Sequence, residues 1–138
     1  MTKSDVHEYI RRHKLGVLST VTAAGEPQAA LVGFAITPEC ELVFDTVKST
    51  RKYPNLVARP ACSLVIGLEG PATVQYEGIA EELKGDRLAA YQEIYFETWP
   101  DGPNRLSWPG IVYFVVRPKW IRYSDFAADP VLIQEFSF

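Results

Sequence analysis

Between Thr46 and Lys52 the sequence reads Thr-Val-Lys-Ser-Thr-Arg-Lys. A strand is expected to end at Thr46 and a helix to begin near Ser49 or Thr50. That places the hydroxyls of Ser49 and Thr50, the cations Arg51 and Lys52, and free backbone N–H groups at one helix start. The chemistry suited to this set is binding of a phosphate dianion: N–H groups and the helix dipole point outward, Arg51 offers a bidentate fork and Lys52 adds charge. Cations at a helix start oppose the dipole, so Arg51 and Lys52 call for a reason. A solvated helix face with Ser49 as an ordinary cap is the other reading of the same residues.

Other chemistries find less. His7 and His13 are the only histidines, and both fall in the first segment, away from any strand-and-turn element that offers a Ser or Cys. A nucleophile–base pair is not evident. Cys40 is expected in a turn and Cys62 on a strand, with nothing beside either to stabilise a thiolate. Glu77, Glu81 and Glu82 mark a solvent-facing strand end rather than an acid/base pair. No Cys/His group has zinc spacing, so no metal site is expected. Trp99, Trp108 and Trp120 crowd the last 40 residues and suit a flat ligand, a core or an interface.

The chain of 138 residues is one domain's worth. With 14 Lys and Arg against 17 Asp and Glu, its net charge is −3, which speaks against general nucleic-acid binding. The longest apolar run, Ile111 to Val116, is far short of the ~20 residues a membrane helix needs. Charge in Met1–Asp5 and the two cysteines, read as thiols, lead to the expectation of a cytoplasmic protein without membrane contact.

The elements that must position these residues follow from period and punctuation. A helix is expected from Ser4, as cap, to Lys14, then strands over Val17–Thr22, Gln28–Ile36 and Glu41–Thr46, joined by turns as an antiparallel meander. A short helix before Pro60 follows, then strands Cys62–Leu68 and Thr73–Glu82 and a helix capped by Asp86. Thr98–Gly110 reads as a loop, Ile111–Arg117 and Trp120–Ser124 as two strands, and residues 127–138 as a tail or arm after a single domain over 1–126. Six or seven short strands with three inserted helices make a mainly β fold, a small barrel.

Several ordered segments resemble the pyridoxamine 5′-phosphate oxidase-like proteins, the FMN-binding split β-barrels. They are Leu15–Val21 with Gly25–Gln28, then Leu42–Thr46, Ser49–Lys52, Asn55-Leu56 and Arg59–Val65. The resemblance implies a six-stranded antiparallel split barrel and a homodimer with FMN in two interface clefts. It runs the flavin ring along Gln28, Ala30, Leu31, Val32 and Gly33, mostly through backbone. It places Asp45 and Thr46 at the strand end, the phosphate on Ser49, Thr50, Arg51 and Lys52, and a partner-subunit contact at Thr73. Gln28 and Gly33 stand where the oxidases carry Arg and Lys, and the C-terminus lacks their Trp and Arg-x-His. The implied function is therefore an FMN-dependent oxidoreductase of unknown substrate, not a pyridoxamine phosphate oxidase. The alternative is a non-catalytic module for flavin, deazaflavin or haem on the same fold. The catalytic residues are unknown.

Overall fold

The computed structural model describes residues 1–138. Helix α1 (Lys3–Arg12) opens on Thr2, not Ser4: the Asp5 N–H donates to Thr2 Oγ1 at 3.2 Å and the Thr2 N–H to Asp5 Oδ2 at 2.6 Å. This reciprocal pair satisfies two donors at the helix start, which Ser4 one turn later could not do. Val6 and Ile10 are fully buried on the inner face of α1, as their spacing requires.

Eight strands follow, where six or seven were expected. They are β1 (Leu15–Val21), β2 (Pro27–Gly33), β3 (Ala35–Ile36), β4 (Leu42–Val47), β5 (Ala61–Ile66), β6 (Ala72–Glu82), β7 (Ile111–Asp125) and β8 (Leu132–Ser137). All pair antiparallel in one curled sheet of order β2-β1-β5-β6-β7-β4-β3, with β8 on β7. The fold is the expected mainly β, split-barrel type, in which a curled sheet wraps one core. Helices α2 (Lys52–Ala58) and α3 (Asp86–Thr98) are inserted between strands.

The strand count differs for local reasons. The expected strand Gln28–Ile36 divides at Phe34: its N–H makes the last bond of the β1–β2 register, to the Lys14 carbonyl at 2.9 Å, and the chain then changes partner from β1 to β4. The two expected strands around Pro118 are one bent strand, β7, because the proline falls where the β6–β7 register shifts at Glu77/Gly78. A bulge is where a ladder tolerates a residue without an N–H. The segment after Asp125 doubles back as β8, pairing Ile121 with Phe136.

The main core holds Leu18, Phe44, Leu64, Ile66 and Phe114 with the inner face of α1. β4 and β7 are buried on both faces, since Val43, Tyr113 and Val115 pack on Tyr95 of α3. At the centre, fully buried Tyr76 donates its hydroxyl to the carbonyls of Cys40 (2.8 Å) and Val116 (3.0 Å). Burial pushes its phenol pKa far up, so it is a fixed donor. Tyr76→Phe strips both carbonyls of that donor and should lower stability by about 1–3 kcal/mol, read as an earlier urea midpoint at unchanged slope.

Candidate functional site

The segment singled out in the sequence lies where β4 gives way to α2. The chain turns at Lys48–Arg51, and the helix begins at Lys52, later than expected. Thr50 closes the turn by donating its hydroxyl to the Val47 carbonyl at 2.9 Å. Ser49 sits exposed at the tip and caps nothing. Arg51 takes the cap position, and Pro54, third in the helix, lacks an N–H where none is needed. A helix of two turns brings only a small dipole, so side chains must supply most of any attraction for an anion.

Those side chains converge. Thr46 is buried, and its Oγ1 lies 3.1 Å from Thr50 Oγ1 and accepts from Lys52 Nζ at 3.3 Å. Lys52 is partly buried and has no carboxylate partner; burial alone holds its pKa below the ordinary lysine range. Arg51 is exposed, and its guanidinium makes neither a hydrogen bond nor an ion pair within the chain. The two cations border a cavity of about 100 Å³ whose other wall is Leu18 and Thr20 of β1 with Gln28, Ala29 and Ala30 of β2. Gln28 is fixed there by Asn55, whose Nδ2 donates to Gln28 Oε1 at 2.9 Å and to Thr20 Oγ1 at 3.0 Å.

Thus Gln28, Ala30, Arg51 and Lys52 share one cavity, with Thr46 and Thr50 directly behind Lys52. The other sequence candidates lie elsewhere. Val32 is buried in the main core, and Leu31 is 59% exposed on the sheet's outer face. Gly33 lies under the indole of Trp99, so close that a Cβ there would be 2.7 Å from Trp99 Cζ2. Asp45 faces away from Thr46 and pairs with Arg105 at 2.8 Å; Arg105 also holds Asp101 and the Tyr95 hydroxyl. Thr73 sits on β6 opposite Ser124, outside the cavity. Asn55 and Thr20 were not among the sequence candidates for the site. The available signal was spacing, since Asn55 lies three residues after Lys52 and so on the same helix face.

The remaining candidates for chemistry are quiet. Cys62 is buried and its thiol is pushed up to about 12; Cys40 is also raised by burial. Neither supplies a thiolate near neutral pH. His7 Nε2 and His13 Nδ1 are held by the backbone carbonyls of Thr37 (3.0 Å) and Tyr9 (2.7 Å). No helix is long and apolar enough to cross a membrane.

The profile of the pyridoxamine 5′-phosphate oxidase family matches residues 2–125. No curated protein matches the chain in sequence. Among solved structures, a haem-binding protein from Mycobacterium smegmatis is similar over 99% of this chain, at 19% identity and a TM-score of 0.81. This chain spans only 59% of that protein's length. A pyridoxamine 5′-phosphate oxidase-related, FMN-binding protein from Nostoc punctiforme is similar over 98% of this chain and 94% of its own, at 12% identity and a TM-score of 0.70. HutZ, the haem storage protein of Vibrio cholerae, is similar over 84% and 89%, at 16% identity and a TM-score of 0.73.

Proposed function

The chain belongs to the pyridoxamine 5′-phosphate oxidase family, and we propose that it is an FMN-binding flavoprotein, a small oxidoreductase whose flavin phosphate is held by Arg51 and Lys52. The observation that carries this reading is Lys52: a partly buried cation with no carboxylate beside it, at a cavity it shares with the unpaired Arg51. Burying a cation without a partner is costly, and a bound dianion removes that cost. The hydroxyls of Thr46 and Thr50 orient the ammonium group, and Gln28, locked by Asn55, completes the polar lining.

When bound, the flavin supplies hydride or electron transfer by its own chemistry. The protein's part is to fix the phosphate at the Gln28 end of β2 and to offer backbone along Ala30–Gly33 for the ring. Asp45 serves this site indirectly, since its pair with Arg105 pins the loop before β7 to β4. The absence of an evident acid, base or nucleophile fits such a division of labour.

A homodimer belongs to the same proposal. Leu31, Val17 and Val65 lie in register across the outer faces of β2, β1 and β5. Leu31 and Val65 are 59% and 42% exposed, an apolar row that a second copy would cover, bringing its Thr73 toward the flavin. Pyridoxamine 5′-phosphate is not the substrate on this reading. A cation at position 33 would have to displace Trp99, whose Nε1 donates to the Phe34 carbonyl at 3.0 Å. Two of the structural neighbours are haem proteins, and the absorption spectrum of the protein separates haem from flavin and deazaflavin.

Titration of the apoprotein with FMN should show Arg51→Ala weakened by roughly 1.5–3 kcal/mol, about 10- to 150-fold. Affinity in the native protein should fall on the alkaline side earlier than an ordinary lysine would dictate, because burial lowers the pKa of Lys52 and only its protonated form attracts phosphate. Lys52→Arg should hold its affinity there, and an Arg51→Ala affinity equal to that of the native protein would remove the segment from the site. The FMN-loaded protein should scatter light as twice the 15.5 kDa chain and leave pyridoxamine 5′-phosphate unoxidised in air. Turnover near 1 per second or faster would contradict the reading of Gly33.

A further inference from the structure

Three strands of the sheet have a paired neighbour on one side only: β2, β3 and β8. A free edge offers N–H and C=O groups to any extended chain, and proteins blunt such edges with short strands, Pro or Lys. β3 is two residues long and packs against α1 and α3. β2 opens on Pro27, which has no N–H to offer. β8 has neither device. Its six residues, Leu132–Ser137, hold no Pro, no Lys and no bulge, and Val131, Leu132 and Ile133 are exposed around its start.

The pairing with β7 fixes which backbone groups are free. Phe138 donates its N–H to the Lys119 carbonyl at 3.2 Å. By strand alternation Leu132, Gln134 and Phe136 then turn their backbone groups toward β7, while Ile133, Glu135 and Ser137 turn theirs away. No other strand lies there to take them up. The Glu135 carbonyl accepts from its neighbour's side chain, Gln134 Nε2, at 3.3 Å, a contact an incoming strand can displace. Glu135 is the only charged side chain of β8; it touches Arg122 and Trp120 on its β7 side and is half-exposed toward the edge. A second β8 suits this edge poorly. Paired antiparallel over the full strand, centred on Gln134, two copies would set their Glu135 carboxylates on one face as diagonal neighbours, ~7–8 Å apart and of like charge.

We propose that the free edge of β8 docks an extended segment of another protein, added antiparallel as a further strand, with Lys or Arg opposite Glu135 and apolar side chains beside Leu132. Main-chain hydrogen bonds to Ile133, Glu135 and Ser137 supply the attraction, and the alternation of cation and apolar residue supplies the selectivity. The edge is independent of the Arg51/Lys52 cavity, which lies at β2.

The test is residue-resolved amide hydrogen exchange on the full chain, with a seven-residue peptide of alternating valine and lysine as the probe. In the free protein the amides of Ile133, Glu135 and Ser137 should exchange much faster than those of Leu132, Gln134 and Phe136. Saturating peptide should slow the first set at least tenfold and leave the second unchanged. Methylating the peptide's lysine N–H groups, which face β8 in this register, should weaken binding at least tenfold. Methylating its valine N–H groups, which face away, should not. Ile133→Pro removes one outward N–H and no bond to β7, so it should weaken the peptide likewise while Leu132, Gln134 and Phe136 stay protected. A valine–glutamate peptide should bind less tightly than the valine–lysine one. No slowing of the three outward amides, or equal effects of the two methylated peptides, would overturn the proposal. So would protection of those amides without any peptide, the sign of a second copy already on the edge.

Discussion

Strand β2 has a hydrogen-bonded neighbour on one side only, β1, so its position depends on that ladder and on what grips its two ends. At the Gln28 end the grip is Asn55, reaching from α2 to Gln28 and Thr20 together. At the Gly33 end it is the indole of Trp99, whose Nε1 donates to the Phe34 carbonyl. Both grips come from elements distant in sequence. The cation cavity at one end and the apolar row with Leu31 on the outer face both lie along this strand.

The arrangement of charge follows the same axis. The chain is net acidic, yet three cations, Arg11, Arg12 and Lys14, gather at one end of β2, with Arg11 paired to Glu8, and Arg51 and Lys52 at the other. Asp45 is adjacent in sequence to Thr46, and strand alternation turns it to the opposite face, where Arg105 takes it up. That leaves Lys52 with the Thr46 hydroxyl as its hydrogen-bond partner and no carboxylate. A carboxylate beside Lys52 would neutralise it in the free protein and repel a phosphate; the pleat and Arg105 together prevent this. The elements that look purely structural, the loop before β7 and the Asp45–Arg105 pair, thereby serve the cavity.

Much of this was legible from residue types. The hairpin of β1 and β2 and the strands β4, β5 and β6 follow period and turn chemistry closely, while α2 begins at Lys52 rather than near Ser49 or Thr50 and α3 has Gly85, not Asp86, at its cap, with no side-chain cap bond. The misses have physical causes. Phe34 and Pro118 are places where the chain changes partner or bulges, and a strand's partner is not written in its own alternation. Strand β8 lies in the residues expected to form a tail or arm: Val131, Leu132 and Ile133 show no alternation, and the strand is stabilised by β7 rather than by its own pattern. At the site, Ser49 to Lys52 stood out because cations at a helix start oppose its dipole. Asn55 did not, because an asparagine in a short helix is unremarkable until its partners Gln28 and Thr20, far back in the chain, are brought beside it. The covering of Gly33 by Trp99 spans 66 positions and leaves no local trace.

The central claim is that a phosphate, and not the flavin ring alone, is what Arg51 and Lys52 hold. FMN and riboflavin differ only in that phosphate, so their relative affinity for the apoprotein measures its contribution. Two charge-assisted contacts worth roughly 1.5–3 kcal/mol each should make FMN bind more than about a hundredfold more tightly than riboflavin at neutral pH. Equal affinity for the two, or no binding of either, would contradict the account.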